Sequence, residues 1–205
     1  MLNKLGLEVH GAPAVKDTAT LQERLQHNGK LMPSLEDAIR AAGLKDGMTI
    51  SFHHHFRDGD YVLNNVVATI AKMGYKDITV ASSSLSNAHA PLVQYIKDGT
   101  VTALQSSGCR GKLADAISKC EVDLKQPVIF RSHGGRAAAI ANGTLHIDIA
   151  FLGVASCDAL GNASGTNAEG TSMCGSLGYA RVDARYADKV VLLTEKLAPY
   201  PNLPA

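Results

Sequence analysis

The sequence lacks an excess of either charge, and it lacks a long apolar run. It holds 20 lysines and arginines against 19 aspartates and glutamates, which gives a net charge of +1. This balance argues against a nucleic-acid partner, which would require a strongly basic surface. No apolar stretch approaches the roughly 20 residues of a membrane helix, and residues 1–15 lack the apolar core of a signal peptide. We therefore expect a cytoplasmic protein without a membrane partner.

Cysteine is scarce, and its spacing fits no familiar zinc site. The four cysteines are Cys109, Cys120, Cys157 and Cys174, and they form no close pairs. Nothing in the sequence indicates an oxidising compartment, so free, mostly buried thiols are expected. Cys109 adjoins Arg110, which could stabilise a thiolate or clamp an anion, but we favour a packing role for this cysteine.

The composition changes near residue 45. Residues 1–45 are polar and predict an amino-terminal arm with one short helix, which begins after Ser34 and ends at Gly43. In residues 46–205, short β-branched runs alternate with amphipathic stretches. This alternation predicts an α/β domain with an open, mainly parallel sheet and helices on both faces, a Rossmann-like three-layer fold.

Polar segments rich in small residues follow five of the predicted strands. They read "HHHFRDGD", "SSSLSNAHAP", "SSGCRG", "RSHGGR" and "SCDALGNASG". Because ligands of such sheets bind beyond the carboxyl ends of the strands, we expect these segments to line one cleft.

The segment "RSHGGR" predicts backbone amides that face outward at the start of a helix. Glycine lets a ligand approach these amides, which can hold a carboxylate, a phosphate or an oxyanion. Ser132, His133, Gly134 and Gly135 form this turn, and Arg136 adds positive charge. The alternative is that the two glycines only make a tight turn.

The segment "SSSLSNAHAP" offers hydroxyl, amide and imidazole groups, among them Ser83, Ser84, Asn87 and His89. No G-x-S-x-G pattern indicates a serine nucleophile, so we favour hydrogen bonding to a polar ligand. A solvated helix-capping loop is the alternative. The glycine-rich segment after Ser156 matches neither G-x-G-x-x-G nor the Walker pattern.

The three consecutive histidines, residues 53–55, do not predict a metal site. Neighbouring side chains of an extended segment point to opposite faces, so three adjacent imidazoles cannot ligate one zinc ion. We instead expect His54 and Arg57 to face an anionic ligand, with Asp58 or Asp60 capping the next helix.

Several of these motifs together resemble the amino-terminal half of the citrate lyase alpha subunit. They are the stretch from "DGMTISFHHHFRDGD" to "YIKDGTVT", "SHGGR", "IDIAFLGVASCDALGNASG" and the ending "VVLLTEKLAPYPNLPA". The resemblance runs from about Leu35 onward and implies a CoA-transferase-like fold. It implies an enzyme that converts acetyl-ACP and citrate to citryl-ACP and acetate, where ACP is the acyl carrier protein.

The resemblance also implies partners. They are citrate, the acyl carrier (gamma) subunit and the lyase (beta) subunit, and a homo-oligomer is a further expectation. We expect no cofactor bound by this chain, which would act on the CoA-like prosthetic group of the carrier or on acetyl-CoA.

Members of that family carry two related α/β halves, and this chain resembles the first. We therefore expect one half of a two-half active site, in which the catalytic residues are not assigned. Binding a tricarboxylate requires cationic or amide donors. The predicted binding residues are His54, Arg57, Ser83, Ser84, Asn87, His89, Arg110, Ser132, His133, Gly134, Gly135 and Arg136. The alternative is a non-catalytic ligand-binding or assembly module of the same fold, such as a sugar-phosphate or CoA sensor.

Overall fold

The computed structural model describes residues 29–53, 56, 60–166, 174 and 180–202. Its strands are β1 (Thr49–Phe52), β2 (Ile78–Ser82), β3 (Val101–Ser106), β4 (Ile129–Phe130), β5 (Ile149–Gly153), β6 (Ser156–Cys157), β7 (Ala163–Ser164) and β8 (Lys189–Leu193). The α-helices within the described residues are α1 (Leu35–Ala42), α2 (Val62–Lys72), α3 (Leu92–Lys97), α4 (Gly111–Ser118), α5 (His133–Ala141) and α6 (Ala180–Tyr186). None of these helices is both long and apolar enough to cross a membrane.

Six strands form one sheet in the order β4-β3-β2-β1-β5-β8, and every neighbouring pair is parallel. This confirms the predicted open parallel α/β sheet. The chain builds outward from β1 to β4 and then returns to the other side of β1 with β5. The strand order therefore reverses between β1 and β5, and in open α/β sheets the crevice at this reversal is where ligands bind.

The two faces of the sheet have separate apolar cores, because alternate strand residues point to opposite faces. Phe52 of β1 and Phe151 of β5 lie on one face, where their rings stack with centroids 5.7 Å apart. Ala150 and Leu152 of β5 point to the other face. The larger core packs against α1 to α4, and the smaller one packs against α5 and α6.

Helix α1 confirms the short helix predicted near the amino terminus. The Ser34 hydroxyl accepts a hydrogen bond from the Asp37 N–H at 3.1 Å, and Gly43 ends the helix with φ at 77°. Ile39 is completely buried in the larger core. The short helix is thus packed against the α/β sheet.

Gly153 allows Phe56 and Val62 to lie close against the end of β5. A methyl group at residue 153 would stand 2.7 Å from Cε2 of Phe56 and 2.8 Å from Cγ2 of Val62. Both distances are shorter than real Cβ contacts, so any side chain here would push away either Phe56 or the start of α2. The absence of a side chain at this position therefore lets Phe56 and the start of α2 lie against the end of β5.

We expect Gly153→Ala to lower the free energy of unfolding by about 1–3 kcal/mol, because it overpacks a filled site. Urea denaturation measures this loss. Gly108→Ala is the matched control, since a methyl group there meets nothing within 4 Å. Equal stability of the two variants would show that Phe56 does not pack on Gly153.

Candidate functional site

The loops that follow β2 and β3 are joined to each other by backbone hydrogen bonds. The N–H of Leu85 donates to the carbonyl of Gly108 at 2.8 Å, and the N–H of Arg110 donates to the carbonyl of Leu85 at 3.0 Å. Each strand also ends in a buried serine whose hydroxyl closes the following turn: Ser82 donates to Ser84 O, and Ser106 donates to Gly108 O. Two of the five predicted strand-end segments therefore form one continuous surface.

Asn87 and Gly111 lie in close contact between these two loops. The φ of Gly111 is 65°, and a methyl group on it would stand 1.6 Å from Oδ1 of Asn87. Asn87 is exposed, while Ser83 is buried and Ser84 is half-buried. Among the predicted binding residues of this loop, Ser84 and Asn87 thus reach the surface.

His89 holds the loop in shape. Its Nδ1 accepts a hydrogen bond from the N–H of Ser86 at 2.9 Å, and the Ser86 hydroxyl in turn accepts one from the N–H of Ala88. The imidazole is only 2% exposed. This placement favours a role in positioning the loop over direct contact with a ligand.

The first turn of α5 contains the predicted amide donors. Ser132 caps the helix and accepts a hydrogen bond from the N–H of Gly135 at 3.0 Å, so this amide is already used. Ser132, His133 and Gly134 are exposed. Arg110, which precedes α4, is exposed as well. The starts of α4 and α5 thus add exposed donors to Ser84 and Asn87 of the β2 loop.

Arg136 is placed differently from the expectation that it faces a ligand. It is only 3% exposed, and its two terminal nitrogens donate to the two carboxylate oxygens of Asp183 at 2.9 and 2.8 Å. One of them also donates to the carbonyl of Ala81 at 3.0 Å. The partner lies 47 residues away in sequence, so no local pattern indicates that the charge of Arg136 is paired inside the fold.

His53, the first residue after β1, completes this buried cluster. Its Nε2 lies 2.9 Å from Oδ2 of Asp183, and both side chains are buried. Burial alone would raise the pKa of Asp183, but hydrogen bonds and charges from His53 and Arg136 outweigh it and lower the pKa to about 2. Asp183 is therefore an ionised carboxylate in the interior, and sequence reasoning missed it.

The remainder of the histidine segment is only partly described. His54, His55, Arg57 and Asp58 lie outside the described residues. Asp60 is buried, and its Oδ1 accepts a hydrogen bond from the N–H of Val62 at 3.1 Å. The N-cap residue of α2 is Tyr61, without a side-chain capping hydrogen bond, so Asp60 bonds the first helical N–H from one residue further back.

The segment "SCDALGNASG" forms a small antiparallel hairpin, β6–β7, that the sequence did not predict. Asp158 organises it: one carboxylate oxygen accepts hydrogen bonds from the N–H groups of Leu160 and Asn162, and the other from Nδ2 of Asn162 and the N–H of Asn202. Burial would raise the pKa of Asp158, but these hydrogen bonds lower it. Both carboxylate oxygens of Asp158 thus accept hydrogen bonds from within the fold.

The structure confirms that the cysteines are unpaired with one another. All four cysteines are free thiols, and burial raises the pKa of Cys109, Cys157 and Cys174, which favours the packing role over a thiolate.

One group among the described residues, His146 with Asp148 and Asp188, has the spacing of metal ligands. It lies at the amino ends of β5 and β8, the edge opposite the strand-end loops.

Comparison with known proteins identifies similar sequences. A model of the family described as citrate lyase, alpha subunit, matches residues 28–205. The citrate lyase alpha chain of Haemophilus influenzae is 57% identical over 181 residues, which are 88% of this chain and 35% of that protein. That of Escherichia coli K12 is 55% identical over 186 residues, 91% of this chain and 36% of that protein. The chain thus spans about a third of the length of these relatives.

Solved structures agree with the fold. A Streptococcus mutans protein described as an alpha subunit of citrate lyase in complex with citrate is 59% identical, with a TM-score of 0.81 over 85% of this chain and 34% of that one. An acyl-CoA transferase from Escherichia coli O157:H7 is 14% identical, with a TM-score of 0.60 over 83% of this chain and 42% of that one. The second likeness shows a CoA-transferase-like α/β fold.

We expect Asp183→Asn to lower the free energy of unfolding by about 3 kcal/mol at pH 7, because it leaves the Arg136 charge buried without its counter-ion. The folded-state pKa of Asp183 lies below its ordinary value of 3.8, at about 2. Its stabilisation is therefore fully present above pH 4 and is lost as the pH falls toward 2. Urea denaturation at pH 7, 4 and 3 should show the difference between variant and wild type shrinking with acid.

The control for this pH series is Asp123→Asn, which changes an exposed carboxylate. We expect it to alter stability by less than about 0.5 kcal/mol at each pH. A difference between Asp183→Asn and wild type that stays constant from pH 7 to 3 would contradict the lowered pKa.

Proposed function

This chain belongs to the citrate lyase alpha subunit family, and from that premise we propose that it is part of the citrate CoA-transferase of a citrate lyase. It would supply one half of a two-half active site that converts acetyl-ACP and citrate to citryl-ACP and acetate. The observation that carries the proposal is the citrate complex of the Streptococcus mutans relative, which is 59% identical to this chain over the matched region, 34% of that relative. Citrate is therefore the acid that we propose for this chain.

The chemistry of the carboxyl edge supports an anionic ligand. Citrate carries three carboxylates, and guanidinium groups and helix amides are the donors that hold such groups best. Arg110 and the exposed first turn of α5 offer both kinds of donor. We propose that Arg110, Ser132, His133 and Gly134 contact the ligand, together with His54 and Arg57 of the β1–α2 segment.

The remaining predicted residues have supporting roles in this proposal. Ser84 and Asn87 reach the surface of the β2 loop and would hydrogen-bond the ligand, with Ser83 beneath them. His89 and the amide of Gly135 keep their loops in shape through the bonds they already make. Arg136 acts through Asp183 and not through the ligand.

The transfer itself would follow the anhydride course that the family resemblance implies. A citrate carboxylate oxygen attacks the acetyl thioester carbonyl and the C–S bond breaks. The carrier thiolate leaves, and a mixed anhydride of acetate and citrate forms. The thiolate then attacks the citryl carbonyl, and acetate leaves. Negative charge develops on the carbonyl oxygen in both steps, and fixed donors at the site would stabilise it.

Two further subunits and the cytoplasm would be the setting of this reaction. The acyl carrier subunit would present its CoA-like prosthetic group, and the lyase subunit would receive the citryl thioester. The balanced charge and the absence of a spanning helix among the described residues suit action in the cytoplasm. The remaining two-thirds of the relatives' length would complete the active site.

We expect Arg110→Ala or Arg57→Ala, in a subunit of the relatives' full length, to raise the KM for citrate by roughly 10- to 100-fold. That range corresponds to the loss of one charged hydrogen bond, about 1.5–3 kcal/mol. The assay measures acetate released from acetyl-ACP at varied citrate concentrations. Arg40→Ala is the matched control, because Arg40 lies on α1, where it pairs with Asp37.

Calorimetric titration separates this proposal from the alternative of a sensor module. Wild-type protein should bind citrate and a CoA thioester. Binding of sugar phosphates without citrate or thioester binding would overturn the transferase proposal.

A further inference from the structure

The side chain of Asn64 connects α2 to the loop that follows β2. Its Nδ2 donates a hydrogen bond to the carbonyl of Ala88 at 2.7 Å, although the two residues are 24 positions apart in sequence. Asn64 is the third residue of α2, and Ala88 lies in the short turn Asn87–His89 of that loop. The contact therefore runs from a helix of the larger core to a loop at the carboxyl edge of the sheet.

The loop that contains this turn is already tied to its neighbour. Leu85 exchanges two backbone hydrogen bonds with the β3 loop, and Asn87 is in close contact with Gly111 at the start of α4. The joined pair of loops carries three side chains that reach the surface, those of Ser84, Asn87 and Arg110. The position of the turn relative to α2 thus bears on all three.

Asparagine has a cost in stability at this position of the helix. Asn64 is half-buried, and its Oδ1 is enclosed without a hydrogen bond from any described group. An enclosed acceptor without a partner destabilises a fold, and asparagine is a weaker helix former than leucine. Leucine has nearly the same shape and would avoid both penalties. Stability alone therefore does not account for Asn64.

What leucine cannot supply is a hydrogen-bond donor in a fixed direction. The amide nitrogen of Asn64 points at the carbonyl of Ala88, and this bond sets how far the turn lies from α2. Leu85 and Leu92 on either side of the turn are buried in the larger core, but apolar contacts have no direction. The core thus holds the loop down, and Asn64 specifies where its turn lies.

We propose that Asn64 is a positioning residue for the joined loops after β2 and β3, acting through the carbonyl of Ala88. It does not contact the ligand in this role. It fixes the places of Ser84 and Asn87, which would hydrogen-bond the ligand. The part of this inference that concerns citrate rests on the proposed function.

The test compares two variants that lose the donor in different ways. Asn64→Leu keeps the shape and adds no charge, whereas Asn64→Asp keeps the shape but presents only acceptors to the carbonyl of Ala88. In a subunit of the relatives' full length, we expect both to raise the KM for citrate by about 3- to 10-fold, the scale of one neutral hydrogen bond. The kcat should stay close to that of the wild type, because contacts made equally in the ground and transition states affect KM.

Stability separates positioning from a general structural role. We expect Asn64→Leu to unfold at a urea concentration no lower than that of the wild type, because it removes the unpaired Oδ1 and favours the helix. Asn65→Asp is the matched control, since it makes the same Asn-to-Asp change at the neighbouring, exposed position of α2. It should leave the citrate KM unchanged, because water and salt screen an exposed carboxylate.

Hydrogen exchange followed by mass spectrometry measures the loop itself. In Asn64→Leu the peptide that contains the turn Asn87–His89 should exchange several-fold faster, while the amides of β2 stay as slow as in the wild type. An unchanged KM or unchanged exchange of this peptide would overturn the inference. A rise in KM that comes with a loss of stability in Asn64→Leu would overturn it as well.

The two proposals fail in different ways. If the wild type neither binds citrate nor transfers acyl groups, the proposed function is wrong. Hydrogen exchange still decides the inference in that case, because faster exchange of the turn at unreduced stability supports positioning and unchanged exchange refutes it.

Discussion

An ionised carboxylate buried where the strand order reverses has to be neutralised, and much of the carboxyl edge follows from that requirement. Asp183 is completely enclosed, so its charge is tolerated only beside Arg136 and His53. The two neutralising groups come from different elements, Arg136 from α5 and His53 from the residue after β1. The carboxyl end of β1 therefore adjoins a buried cluster of charged and polar groups.

The carboxyl edge of the sheet carries two arginines in different environments. Arg136 is buried inside the fold, whereas Arg110 is exposed at the start of α4. The same residue type is therefore placed in two ways at this edge of the sheet: the charge of Arg136 is paired inside the fold, and that of Arg110 is exposed.

Local pattern predicted the regular elements, and distant contacts explain most of what it missed. The runs "MTISF" and "IDIAFLGVAS" predicted β1 and a longer β5, which ends at Gly153, because β-branched and apolar residues follow one another there. Ser34 with Gly43 predicted the ends of α1. Arg136 and Asp183 are 47 residues apart, and no spacing rule connects them. The hairpin β6–β7 also depends on a distant partner, because Asp158 is completed by Asn202.

The contact between Asn87 and Gly111 has a consequence for how this protein can change. Because the amide of Asn87 occupies the space that any side chain at residue 111 would need, the two positions are not independent. A random library that varies residue 111 alone would return few folded members, and a smaller residue 87 would remove the collision but not the strain of a φ of 65°. Residue 111 is therefore held to glycine both by the neighbouring loop and by its own backbone.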